Sequence, residues 1–188
     1  MDLGNSTSRE KKTLTYKEQC PVKRQAYLDA FAAEVQKAGK TPAYVDECGF
    51  PSAELRRYAY APRGVCVEDK ISGSHRYTST SLIAARIGGT FTAPVIFEGA
   101  TDALAFNTWL EHQLCPLLDE THVVILDNAS FHKGGETARL IADRGASLLF
   151  LPPYSPELNP IERDFANIKK RYQYAPETSI DQIIKMYN

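Results

Sequence analysis

The sequence predicts a mixed α/β domain, a five-stranded sheet flanked by helices. Residues 77–87 and 90–97 read as two strands, and Gly88-Gly89 between them is the turn pair of an antiparallel hairpin. The later apolar runs 122–126 and 147–151 are separated by a helical pattern, as in strand–helix–strand crossovers. An early strand at 43–48, closed by Gly49 and Pro51, completes the set of five.

Each element has a local reason. Residues 1–20 are polar and aperiodic and read as a linker. Tyr27, Phe31 and Val35 recur every fourth position, so 21–39 reads as a helix that Thr41-Pro42 ends. Residues 50–75, with Pro62, Gly64 and Gly73, read as a long loop or arm. Residues 101–118 form a helix capped by Thr101 or Asp102, with Leu104, Phe106, Trp109 and Leu110 on its apolar face. Residues 135–144 form a helix stopped by Gly145. Pro152-Pro153-Tyr154-Ser155-Pro156 is incompatible with regular structure. A helix runs from about 160 to 172, and a shorter one follows Ser179. Right-handed crossovers set the strand bearing Asp127 beside the strand bearing Asp46. The chain divides at 40/41 into an N-terminal linker and helix (1–40) and the sheet domain (41–188).

Composition narrows the function. With no apolar run near the ~20 residues that cross a bilayer, and no signal-peptide core, the expectation is a cytoplasmic protein. Cys20, Cys48, Cys66 and Cys115 make no C-x-x-C pair and no zinc spacing with histidine, so they read as reduced thiols. A net charge of −1 argues against a domain that holds nucleic acid by bulk charge. The basic residues nonetheless cluster, in 9–40, in 56–76 and at Lys169-Lys170-Arg171.

Three carboxylates stand out. Asp46 lies in the first strand, and alternation sends Asp46 and Glu47 to opposite faces, so only one of them enters a shared site. Asp127 ends the run Val-Val-Ile-Leu, at the strand end where open α/β sheets place ligands. Glu162 opens the 160–172 helix. It competes with a structural role there: Asn159 as N-cap, Pro160 as the first helical residue and Glu162 as the third make a capping box. Glu157 is the other acid able to serve. Two strand-end aspartates and a helix acid can supply the hard oxygen ligands of two Mg²⁺ ions roughly 3.5–4 Å apart, the arrangement that cleaves phosphodiesters.

Tyr-Val-Asp-Glu at 44–47, Leu-Asp-Asn-Ala-Ser-Phe-His-Lys at 126–133 and Leu-Pro-Pro-Tyr-Ser-Pro-Glu-Leu-Asn-Pro-Ile-Glu at 151–162 resemble the DDE transposases of bacterial insertion sequences. The likeness is to the mariner-like superfamily and its IS six-thirty branch, over about 10–175. Asp127 and Glu162 are separated by 34 residues, as in many members. The resemblance implies an RNase H-like fold, two Mg²⁺ or Mn²⁺ ions held by Asp46, Asp127 and Glu162, and cut-and-paste transposition. It implies double-stranded DNA (transposon ends and target) as partner, gripped by a homodimer assembled on that DNA. By motif position Asn128 and His132 orient a phosphate or a water on the metal. Arg63, in a Pro-Arg-Gly element, is placed in a region that touches DNA or a partner subunit, and Lys133, Lys169 and Lys170 are expected to bind DNA. Members usually also carry a helix-turn-helix region; residues 1–40 hold no pair of recognition helices, so a catalytic domain parted from its end-recognition region is expected. The competing readings are a general nuclease of the same fold and a non-catalytic regulator that pairs with full-length transposase.

Overall fold

The computed structural model describes residues 17, 19–50, 80–175 and 178–187. Arg63, Cys66, the 50–75 arm beyond Phe50 and the first residues of the 77–87 strand lie outside the described residues.

Five strands, β1 (Thr41–Phe50), β2 (Thr80–Ile87), β3 (Thr90–Glu98), β4 (His122–Leu126) and β5 (Ser147–Phe150), form one sheet in the order β3-β2-β1-β4-β5. The first three pair antiparallel, while β1–β4 and β4–β5 are parallel. Asp127 therefore follows the strand next to the one carrying Asp46, as the crossover rule requires. Gly88 and Gly89 both have positive φ, 55° and 92°, which the tight β2–β3 turn demands. In β3 a register shift coincides with Ala93 at φ 52°, a bulge whose carbonyl accepts the indole N–H of Trp109 at 2.8 Å.

The helices are α1 (Pro21–Phe31), α2 (Ala103–Trp109), α3 (Gly135–Ala142), α4 (Ile161–Tyr174) and α5 (Ile180–Lys185). Wider π turns extend α1 through Lys37 and α2 through Leu114. Asp102 caps α2 by accepting the Ala105 N–H at 2.8 Å, and Ser179 with Gln182 forms a reciprocal capping box on α5.

Alternation sorts the core onto two faces. Val45, Ile83, Val124 and Leu126 pack with Phe106, Trp109, Leu110 and Ile141 on one side. Cys48, Phe50, Leu82 and Ala84 pack with Ile161, Phe165, Ile168 and Ile183 of α4 and α5 on the other. α1 covers β4 and β5 on a third patch, through Tyr27 and Phe31 against Ile125, Leu149 and Leu151. β4 is apolar throughout because both its faces are covered. Among the described residues, no helix is long and apolar enough to cross a membrane. Cys20, Cys48 and Cys115 are free thiols.

One expected core residue is misplaced in the sequence reading. Leu104 is 76% exposed, because the α2 stripe that meets the sheet is Phe106, Trp109 and Leu110. Leu104→Ala should therefore change stability by less than about 0.5 kcal/mol. Ile168→Ala, which empties a fully buried position between α4 and the sheet, should cost about 2–5 kcal/mol in urea denaturation.

Candidate active site

β1 and β4 stop pairing after Tyr44↔Ile125. β1 runs on to Phe50 against β2, while β4 ends at Leu126. Continuing the parallel register by two residues sets Asp46 opposite Asp127, at the carboxyl edge of both strands. A cavity of about 740 Å³ opens there, lined by Asp46, Glu47, Asp127, Asn128, Asn159, Glu162 and Lys169 together with the 151–156 loop.

Asp46 faces the α4 side. Its Oδ1 accepts the Glu47 N–H at 2.8 Å and its Oδ2 accepts Asn159 Nδ2 at 3.0 Å. Burial pushes its pKa up to about 7, reinforced by the charges of Glu47, Asp127 and Glu162 and opposed by the Glu47 N–H. Asp127 is half-exposed. Burial works to raise its pKa, but the hydrogen bond to His132, the Ala129 N–H at 2.9 Å and the charges of His132 and Lys133 outweigh it and hold the carboxyl below its usual range. Glu162 is raised by burial and by Glu157, with Lys169 opposing.

His132 does not line the cavity. It is fully buried behind Asp127, with Nδ1 2.7 Å from Asp127 Oδ1 and Nε2 2.9 Å from Glu47 Oε1. Burial alone would lower its pKa; the two carboxylates raise it to about 9, so the ring is an imidazolium. Asn128 donates through Nδ2 to the Leu151 carbonyl and ties the end of β4 to the proline-rich loop.

The capping role considered for Glu162 is not realised. Pro160 occupies the N-cap position of α4, with no side-chain cap. Asn159 spends its amide on Asp46, which leaves its Oδ1 buried without a partner. Glu157 pairs with Arg24 of α1 and is not part of the cavity wall. Lys169 and Lys170, neighbours in sequence, part company. Lys169 lines this cavity, whereas Lys170 lines a second one with Arg86, Arg171 and Tyr187 on the far side of α4. Lys133 is exposed on the turn after β4.

A hard divalent cation suits this donor set. The facing groups are carboxylate oxygens, one of them with a raised proton affinity, and a buried amide oxygen lacks any donor. Among the described residues no three His, Cys, Asp or Glu side chains are grouped closely enough to enclose an ion.

A sequence profile described as "DDE superfamily endonuclease" matches residues 42–184. The chain belongs to the DDE superfamily of endonucleases. The fold of this DDE endonuclease is RNase H-like. It superimposes on the Mos1 transposase paired-end complex with left transposon end at a TM-score of 0.64 and 12% identity, covering 89% of this chain and 54% of that one. The mariner Mos1 paired-end complex with Mg gives 0.61 and 14%, with the same coverage. The Mos1 transposase catalytic domain with Raltegravir and Mn gives 0.55 and 12%, over 85% of this chain and 74% of that one. The chain thus spans about half the length of the first of these structures. Comparison with curated proteins finds no match by sequence.

Two residues of this cavity have no clear signal in the sequence, Glu47 and Asn159. Alternation gives Asp46 and Glu47 opposite faces and predicts that only one of them enters a shared site, yet both line the cavity. Glu47 does face the other way, but at a strand edge both faces border the cavity. Asn159 looked like a helix cap, and nothing local signals its reach to Asp46.

The raised Asp46 has a thermodynamic consequence. Its folded pKa of about 7 lies above the ordinary aspartate value, so its protonation favours the fold below about pH 4 and that contribution is lost as pH rises through 7. In metal-free buffer at pH 8, Asp46→Asn should be more stable than wild type by about 1–2 kcal/mol, with the gap closing near pH 4. A lower Tm for the variant at pH 8 would contradict this.

Proposed function

We propose that the chain is the catalytic domain of a DNA transposase of the mariner-like superfamily, from the insertion-sequence branch, that cuts and rejoins DNA through Asp46, Asp127 and Glu162. The observation that carries this reading is the parallel register of β1 and β4, which sets Asp46 beside Asp127 on a cavity that Glu162 also lines. Membership of the DDE endonucleases supports it, as does the fold shared with Mos1 complexes that contain transposon ends, Mn or Mg.

Asp46, Asp127 and Glu162 would hold two Mg²⁺ or Mn²⁺ ions, which would supply Lewis-acid activation at the phosphodiester. The chain's own residues do the rest. Lys169 at the cavity wall and Lys133 beside Asp127 attract the phosphate backbone. Asn128 fixes the loop that forms the cavity rim. In the first reaction water attacks phosphorus and a 3′-hydroxyl leaves. In the second, that 3′-hydroxyl attacks a phosphodiester of target DNA, the P–O3′ bond of the target breaks, and the displaced 3′-oxygen takes up the proton that the attacking hydroxyl loses. Double-stranded DNA is the partner, engaged by a homodimer.

The chain should nick supercoiled plasmid in Mn²⁺ at low salt and stop when the metal is chelated. Asp127→Ala and Glu162→Gln should each lower the rate by at least about 100-fold without loss of the folded state. Normal nicking by Asp127→Ala would overturn the assignment.

A further inference from the structure

We propose that Glu47 is a positioning residue that holds Asp127 in place through His132. The inference rests on the reading of Asp127 as a cation-holding residue.

The geometry is closed at every joint. β1 and β4 lose their ladder beyond Tyr44↔Ile125, so among the described residues no β1–β4 ladder hydrogen bond fixes the distance between Glu47 and the turn after β4. The side-chain bridge Glu47–His132–Asp127 spans that opening, at 2.9 and 2.7 Å. The imidazole has no freedom to leave. It is fully buried, and Phe106 and Phe131 lie against it with ring centroids 4.3 Å away. Phe106 comes from α2, so the bridge is held by the core rather than by the loop alone.

With both ring nitrogens engaged and no exposed surface, His132 cannot touch DNA. What it can do is choose which oxygen of Asp127 remains available. Oδ1 takes both His132 and the Ala129 N–H. Oδ2 accepts no hydrogen bond among the described residues and is left for a cation. Glu47 fixes the ring from behind, in the way that outer-shell carboxylates fix the histidine or carboxylate they contact. This differs from the expectation that His132 itself orients a phosphate or a water.

The test is Mn²⁺ binding to the 188-residue chain, followed by electron paramagnetic resonance of the free ion, with a thermal melt on each variant. Glu47→Ala should weaken Mn²⁺ binding about tenfold or more. Glu47→Gln keeps a group able to hydrogen-bond Nε2 and should stay within about threefold of wild type. If Glu47→Ala does not fold, Glu47→Asp is expected to show the same loss, because the shorter side chain does not reach the ring. Wild-type Mn²⁺ binding in Glu47→Ala, with only a lowered Tm, would overturn the proposal. So would a loss in Glu47→Gln as large as in Asp127→Ala, which would make Glu47 a ligand itself. If Asp127→Ala also binds Mn²⁺ normally, the metal-site reading falls and the clamp falls with it.

Discussion

Two acids that repel each other are kept side by side at the edge of one sheet, and much of the structure is arranged to make that tolerable. Asp46 is held by the Glu47 N–H and by Asn159, and Asp127 by the Ala129 N–H and His132. These donors offset only part of the cost. Asp46 keeps a proton affinity far above that of an ordinary aspartate, because it is the more buried of the two and faces three other acids. Asp127 sits next to the imidazolium and remains ionised. Such a split between adjacent carboxyls makes this edge a candidate functional site. A cation brought into the cavity relieves the same repulsion.

The third acid is positioned by packing. α4 buries Ile161, Phe165 and Ile168 against the sheet, and this turns Glu162 and Lys169 toward the cavity. On its other flank Asp164 is buried. Arg86 donates to both its oxygens at 2.8 and 2.7 Å, and the Tyr187 hydroxyl donates at 2.8 Å. The Arg86–Asp164 pair therefore bolts α4 to β2, two residues from Glu162. Asp164 is buried while Arg86 is partly exposed, so a shift of α4 that parts them strands the Asp164 charge, which resists a change in the helix register that aims Glu162. The N-terminal segment takes part as well: Gln19, just before α1, donates to the Tyr154 carbonyl at 2.8 Å, and Arg24 of α1 pairs with Glu157. Both contacts steady the proline-rich loop on the cavity rim.

Much of this was legible in the sequence. Apolar runs bounded by Gly and Pro mark all five strands, the Gly-Gly turn marks the hairpin, and the crossover rule sets the strand of Asp127 beside that of Asp46. What was hidden depended on distance across the fold. Asn159 has the local signature of a cap, and only tertiary structure sends its amide to Asp46. Strict alternation placed Glu47 away from the site, correctly as to face, but alternation says nothing about a strand that outruns its neighbour. His132 read as a residue near the substrate, because a motif gives proximity without showing which side of Asp127 the ring occupies. Lys169 and Lys170 read as one basic surface, though a step of 100° per residue along α4 delivers them to separate cavities.

The proposed function requires Asp46 and Asp127 to share a cation at the carboxyl edge of β1 and β4. Crystals of the chain soaked in Mn²⁺, with anomalous diffraction at the manganese edge, test it most directly. Anomalous density is expected between these two carboxylates, on the Oδ2 side of Asp127 and within reach of Glu162. Density confined to other surface acids, with the Asp46–Asp127 edge empty at saturating Mn²⁺, would contradict it.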